Sequence, residues 1–241
     1  ADAMRDQAMA LSFNSPWYTE NGPATVLAER IADYAPGDLN HTFFTTGGSA
    51  AVETAIRFIQ FYNNILGRRS RKKIVTRTNA YHGSTVMTSS LNGRALYSDW
   101  LDPVPGILRL SCPDPFRRPA GQSLEDFTNA LVAEFEALIA REGAETIAAF
   151  IAEPVMGSGG VIVPPSTYLA ALHGVCRRDD ILFIADEVVT GFGRLGHGFA
   201  AERFEQARAG IQAVVETVPT FLEEHVAAHF PCEQGAAFLH F

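Results

Sequence analysis

The chain has 241 residues, of which 47% are hydrophobic and 19% charged, and its net charge is −8. This composition is typical of a globular protein with one large domain or two small ones. The negative charge and the lack of a basic stripe argue against nucleic acid as a partner. The apolar runs are strand-sized and too short to cross a bilayer, so we expect no membrane association.

Cysteine usage and the first residues indicate a compartment. Cys112, Cys176 and Cys232 are far apart and form no C-x-x-C pair, and no signal-peptide pattern opens the chain. Scattered cysteines suit a reducing environment, so we predict a cytoplasmic protein. No metal site is expected, because His225 and His229, although at i and i+4, are better explained as solvated residues of an amphipathic stretch.

Helical and strand patterns alternate along the chain. Residues 24–34 predict a helix, and residues 42–45, β-branched and aromatic before two glycines, predict a strand. The later elements in chain order are predicted as helix 50–66, strand 73–78, helix 84–91, strand 107–110, helix 124–141, strand 147–152, helix 168–177 and strand 181–185. This alternation predicts an α/β fold, with a mostly parallel sheet covered by helices on both faces.

A glycine turn and an aromatic loop are candidate ligand contacts. Gly47-Gly48-Ser49 precedes a predicted helix, whose free N–H groups and positive dipole end favour an anion. An ordinary turn with Ser49 as helix cap is the alternative, and from this feature alone the more frequent one. Tyr81-His82-Gly83 follows the strand 73–78, where an aromatic ring can stack on a flat ligand, although a packed loop is again more frequent.

Acidic residues follow two of the apolar strands. Glu153-Pro154 comes after residues 147–152, and Asp186-Glu187 comes after residues 181–185. Carboxylates at the carboxyl end of a buried strand face the crevice where open α/β sheets bind ligands. Such a carboxylate needs a cationic or hydrogen-bonding partner, for which a protonated ring nitrogen of a cofactor is one candidate and a surface arginine another.

In their order along the chain, these motifs resemble the class III (ω-amino acid) aminotransferases of pyridoxal-phosphate (PLP) fold type I. The resemblance covers roughly residues 1–204 and rests on segments 43–55 (FFTTGGSAAVETA), 81–85 (YHGST), 151–155 (IAEPV) and 185–194 (ADEVVTGFGR). It implies an N-terminal helical segment over 1–40 and a PLP-binding large domain over 41–204. Residues 205–241 form a predicted helical tail that does not look like the family's continuation.

The resemblance also implies a set of site residues. The cofactor-binding ones are Gly48, Ser49, Tyr81, His82, Asp186 and Val188, and the catalytic ones are Asp186 and Glu153. In this assignment the turn binds the cofactor phosphate, Tyr81 and Val188 pack on the two faces of the pyridine ring, and Asp186 pairs with the ring nitrogen. Glu153 lies in the active-site region, near the substrate or an arginine.

The sequence departs from the family pattern in several places. Ala50 stands where a glutamate is usual, and Val189 where some members carry glutamine. The family's Schiff-base lysine belongs some tens of residues after Asp186, whereas this chain has only Lys72 and Lys73. Such a lysine holds PLP and shuttles a proton. The chain is therefore expected to be part of a longer polypeptide, a truncated or frame-shifted product, or a lysine-less relative.

The activity that the resemblance implies is the transfer of an amino group from an ω-amine or ω-amino acid to a keto acid such as pyruvate or 2-oxoglutarate. A homodimer is expected, because the family builds its active sites between subunits. The alternative is a lysine-less, non-catalytic PLP-binding or interaction module, or an inactive truncated fragment.

Overall fold

The structure is a computed structural model that describes residues 1–15, 19, 21–37, 39–94 and 101–203. Its strands are β1 (Lys73–Arg77), β2 (Ile107–Leu110), β3 (Ile147–Ala152) and β4 (Leu182–Ala185). Its helices are α1 (Asp2–Ala10), α2 (Gly22–Tyr34), α3 (Gly48–Ile65), α4 (Val86–Leu91), α5 (Leu124–Glu142) and α6 (Tyr168–Arg178). Short 3₁₀ turns cover Pro115–Arg117, Ala144–Thr146 and Ala200–Arg203.

The four strands form one sheet in the order β2-β1-β3-β4, and every neighbouring pair is parallel. Parallel strands need crossover connections, which the helices between them supply. All strands therefore end at the same edge, called the carboxyl edge below. The central strand β3 is buried at all six positions, which explains its unbroken apolar run.

Helices cover both faces of this sheet. On one face, α5 and α6 pack through residues such as Phe135 and Leu172 against Phe150 of β3. On the other face, Ile56 of α3 belongs to a cluster with Ile151 of β3. Because successive side chains of a strand point to opposite faces, neighbouring positions of β3 feed different clusters. The predicted α/β fold with helices on both faces is confirmed.

Most predicted elements are confirmed within two residues at each end, and one is wrong. No strand forms over residues 42–45, where Phe43 and Phe44 are about half exposed, at 47% and 45%. A β-branched and aromatic run becomes a strand only beside a pairing partner, and the described residues offer it none. The predicted helical tail lies outside the described residues. Among the helices that the structure describes, none is long and apolar enough to cross a membrane.

Candidate functional site

The carboxyl edge of the sheet brings together the motifs that the sequence singles out. Asp186 directly follows β4, and its backbone N–H donates to the carbonyl of Ala152 at 2.9 Å, which continues the pairing with β3. Glu153 directly follows β3. The loop with Tyr81 and His82 follows β1, the neighbour of β3 on its other side. Three loops therefore meet where an open α/β sheet binds its ligand.

A buried acid and histidine form the polar centre of this edge. Asp186 is 8% exposed, and Oδ2 of its carboxylate lies 2.7 Å from Nδ1 of His82, itself 2% exposed. The other carboxylate oxygen, Oδ1, accepts a longer bond of 3.3 Å from the backbone N–H of Val188. With Asp186 ionised, His82 donates from Nδ1, which fixes the imidazole tautomer. The carboxylate is held rigidly and keeps lone pairs on Oδ1 for a cationic donor.

The N-terminus of α3 lies beside this centre. Gly47 is the N-cap and no side chain caps the helix. The first helical bond runs from the Ala51 N–H to the Gly47 carbonyl at 3.0 Å, so the N–H groups of Gly48, Ser49 and Ala50 have no intrahelical partner. The alternative role of Ser49 as helix cap is wrong, because its Oγ accepts from the backbone N–H of Ser84 at 3.1 Å.

Two glycines let these pieces approach closely. A Cβ on Gly48 would lie 2.9 Å from Cγ2 of Val188, and one on Gly83 would lie 2.5 Å from Oγ of Ser49 and 2.6 Å from Oγ1 of Thr88. Gly83 also has φ +132°, in the region that other residues rarely adopt. The α3 terminus, the aromatic loop and the segment after β4 thus form one cradle that added side-chain atoms would fill.

Glu153 is buried and each of its carboxylate oxygens accepts a hydrogen bond from the backbone. Oε1 accepts from the Tyr81 N–H and Oε2 from the Gly157 N–H, both at 3.0 Å. An arginine does reach Glu153, since Nη2 of the buried Arg77 donates to its backbone carbonyl at 2.7 Å. The side chain therefore ties the aromatic loop to the loop after β3.

The acid next to Asp186 has a different task. The Glu187 carboxylate accepts from the Thr190 hydroxyl at 2.6 Å and from the backbone N–H groups of Ala200 and Ala201 at 2.9 and 2.8 Å. It thereby closes the loop that leaves β4. Although the two acids are adjacent in sequence, only Asp186 points to the cradle centre.

One contributor was missed by the sequence interpretation. Asn92, directly after α4, is 2% exposed and bonds the backbone of both His82 and Gly83. Nothing in its sequence context marks it, because it carries no charge and belongs to no motif. Only the fold of the segment between β1 and β2 brings its amide under the loop.

The two lysines lie at the opposite edge. Nζ of Lys73, the first residue of β1, is 2.9 Å from Oε2 of Glu142, and Nζ of Lys72 donates to Oδ1 of Asn64 at 2.5 Å. The six-residue strand β3 separates the two edges by about 20 Å, at about 3.3 Å per residue. Neither amine reaches Asp186.

Comparison with known proteins agrees with this architecture. The family described as aminotransferase class-III matches residues 1–214, and this chain belongs to that family. Gamma aminobutyrate transaminase 3, chloroplastic, of Solanum lycopersicum is 44% identical over 195 residues, covering 80% of this chain and 38% of that protein. The probable mitochondrial gamma-aminobutyrate transaminase 2 of Oryza sativa subsp. indica is 43% identical over 206 residues, covering 84% and 41%.

Solved structures give the same result. The crystal structure of the omega transaminase from Pseudomonas jessenii in complex with PMP is 43% identical, with a TM-score of 0.83. It covers 85% of this chain, while this chain covers 46% of it. The predicted fold type is therefore confirmed for the part compared. The chain spans less than half the length of these relatives.

Proposed function

We propose that this chain forms the PLP-binding part of a class III aminotransferase. The observation that carries the proposal is the buried Asp186 carboxylate, fixed by His82 beside the free N-terminus of α3. A carboxylate at this place keeps a pyridine nitrogen protonated, and bound PLP then supplies an electron sink for chemistry at the amine-bearing carbon. The family membership and the PMP complex of the Pseudomonas jessenii relative support the same cofactor.

The residues of the cradle fit the parts of this cofactor. The N–H groups of Gly48 and Ser49 suit its phosphate, because a helix N-terminus offers unpaired donors and a positive dipole end. The side chain of Val188 is 68% exposed beside Gly48, which leaves an apolar surface for one face of the ring. Tyr81 is assigned to the other face. Oδ1 of Asp186, with its single long bond, suits the ring N–H.

Each polar residue then has a distinct task. Asp186 would contact the cofactor and hold a proton on the ring nitrogen, while His82 orients Asp186 through the hydrogen bond at Nδ1. Glu153 is assigned to the catalytic set by resemblance, but each of its carboxylate oxygens accepts a 3.0 Å hydrogen bond from a backbone N–H. These contacts favour a positioning role, in which Glu153 fixes the Tyr81 loop.

The reaction that we propose for the complete enzyme moves an amino group from an ω-amine or ω-amino acid to a keto acid such as pyruvate or 2-oxoglutarate. The names of the gamma-aminobutyrate transaminases support an ω-amino acid donor. The transfer needs a lysine amine at the carboxyl edge, to hold the cofactor and carry a proton. Neither Lys72 nor Lys73 brings an amine there.

The alternative is a PLP-binding module without transaminase chemistry, which would need no lysine amine at the carboxyl edge. Because these 241 residues bring no lysine amine to the carboxyl edge, an assay of amino transfer from 4-aminobutyrate to pyruvate and to 2-oxoglutarate separates the two only with the polypeptide that the full open reading frame encodes. Turnover that needs PLP and is lost in Asp186→Asn supports the enzyme. PLP binding without turnover supports the module, and the absence of PLP binding contradicts both.

Domain limits, assembly and compartment are proposed on the same basis. We infer a PLP-binding domain over residues 41–204, preceded by a helical segment over 1–40, and the predicted tail over 205–241 lies outside the described residues. The family resemblance supports a homodimer, which light scattering of the purified protein tests. The cysteine pattern supports the cytoplasm, whereas the plant relatives are named mitochondrial or chloroplastic, and cell fractionation decides between these compartments.

A further inference from the structure

We infer that Asn92 is a positioning residue of the cofactor site, because its amide fixes the backbone that carries Tyr81 and His82. This inference rests on the proposed PLP site and adds a residue outside the motifs of the family resemblance. Asn92 contacts the cradle through the backbone of the aromatic loop. It acts through the loop, and therefore through the ring that stacks on the cofactor and the imidazole that orients Asp186.

The contacts of Asn92 fix two successive residues at once. Oδ1 accepts from the His82 backbone N–H at 2.7 Å, and Nδ2 donates to the Gly83 carbonyl at 2.9 Å. A planar amide that bonds a backbone donor and a backbone acceptor of the same loop restricts the rotation of the loop backbone at both residues. His82, Gly83 and Asn92 are all buried. Removing the amide would therefore leave the His82 N–H and the Gly83 carbonyl without a hydrogen-bond partner, because water does not replace it there.

Asn92 is itself anchored to the sheet. The next residue, Gly93, donates its N–H to the Ala80 carbonyl at 2.9 Å, and a Cβ on it would lie 2.2 Å from the Arg77 carbonyl oxygen. Nη2 of Arg109 in β2 donates to the carbonyl of Asn92 at 3.0 Å. The turn after α4 thus packs directly on the ends of β1 and β2, so the amide has a fixed position relative to the carboxyl edge.

The loop receives two further side-chain bonds from other elements. Glu153 accepts from the N–H of Tyr81, and Ser49 accepts from the N–H of Ser84. Asn92 holds the residues between these two bonds. Without it, the His82 N–H and the Gly83 carbonyl lose these bonds, and His82 is held through its ring bond to Asp186 rather than through its backbone.

The test compares three variants in the full chain. Asn92→Ala removes both bonds, and Asn92→Asp keeps the acceptor for the His82 N–H but loses the donor to Gly83. Asn63→Ala is the matched control, because Asn63 is also 2% exposed and its Nδ2 donates to the Ile59 carbonyl at 3.0 Å, near the far end of α3. Far-UV circular dichroism identifies a temperature at which wild type and all three variants are folded, and binding is measured at that temperature.

The readouts are the affinity for pyridoxamine 5′-phosphate (PMP), which needs no lysine, and the induced circular dichroism of its bound ring. We expect Asn92→Ala to weaken PMP binding about tenfold and to change the induced signal, with a smaller loss in Asn92→Asp. Asn63→Ala should lower the melting temperature yet leave both readouts unchanged.

Two results overturn the inference in distinguishable ways. Folded Asn92→Ala that binds PMP within about twofold of wild type, with the same induced signal, contradicts the positioning role alone. A wild-type chain that does not bind PMP contradicts the proposed function, and the inference falls with it.

Discussion

Adjacent residues with the same chemistry serve different purposes at the carboxyl edge. The sequence places Asp186 and Glu187 together after an apolar strand, and both are candidates for facing a ligand. The structure turns Asp186 toward His82 and turns Glu187 toward the backbone of Ala200 and Ala201. Strand alternation separates the two side chains, but which of them reaches the cradle depends on the loop that follows.

Asp186 is the first residue to test, and its charge is the property to remove. We expect Asp186→Asn to weaken PMP binding about 10- to 100-fold, since a hydrogen bond to a charged group contributes about 1.5–3 kcal/mol. The matched control is Asp180→Asn, which removes an acid that pairs with Arg68 and Arg71 away from the cradle. Calorimetric titration measures both variants, and equal affinities in wild type and Asp186→Asn would contradict the site.

Gly83 tests the close packing of the cradle. Gly83→Ala adds a Cβ into Ser49 and Thr88 at a φ of +132°, so we expect a loss of about 1–3 kcal/mol in unfolding free energy, together with weaker PMP binding. Gly174→Ala is the control, because no atom lies within 4 Å of the added Cβ in α6. For Gly174→Ala we expect the free energy of unfolding, measured with urea, to rise by up to about 1 kcal/mol. A Gly83→Ala variant with unchanged unfolding free energy and unchanged PMP affinity would contradict this packing.

At the scale of elements, hydrophobic periodicity predicted most of the fold. The runs that become β2 and β3 were located to the residue, because both are short apolar-rich runs bounded by turns, and β3 is continuously apolar as expected of a buried parallel strand. Residues 42–45 carry the same local pattern, but no neighbouring strand pairs with them among the described residues. Local propensity does not show whether a pairing strand exists. The role of Asn92 was likewise beyond the sequence, because it depends on how the segment between β1 and β2 folds back.

Helix α4 links this fold to the site. Thr85 caps it in a reciprocal pair with Thr88, and its end carries Asn92. We expect Thr85→Ala to cost about 1 kcal/mol and to weaken PMP binding. Ser123→Ala removes the corresponding cap of α5, whose Ser123 Oγ accepts from the Asp126 N–H at 3.0 Å, and should cost a similar amount with unchanged PMP affinity. Thermal melts and titrations of both variants distinguish a local effect on the site from a general loss of stability.

At the scale of the whole molecule, the parallel sheet divides the chain into two chemically different edges. The carboxyl edge collects Asp186, His82 and the N-terminus of α3. The opposite edge, where the strands begin, carries both lysines, each bonded to a side chain there. The sequence interpretation already excluded these lysines by their position in the chain, and the fold supplies the physical reason, a separation of about 20 Å across β3.

The most direct test of this account is to mix the chain with equimolar PLP, record its absorption, reduce it with borohydride and measure the intact mass. We expect saturable PLP binding that dialysis reverses, and an unchanged mass after reduction, because the cradle holds the cofactor through Asp186 and α3 while both lysines lie at the other edge. A reduced adduct on Lys72 or Lys73, or a complete lack of saturable binding, would contradict it.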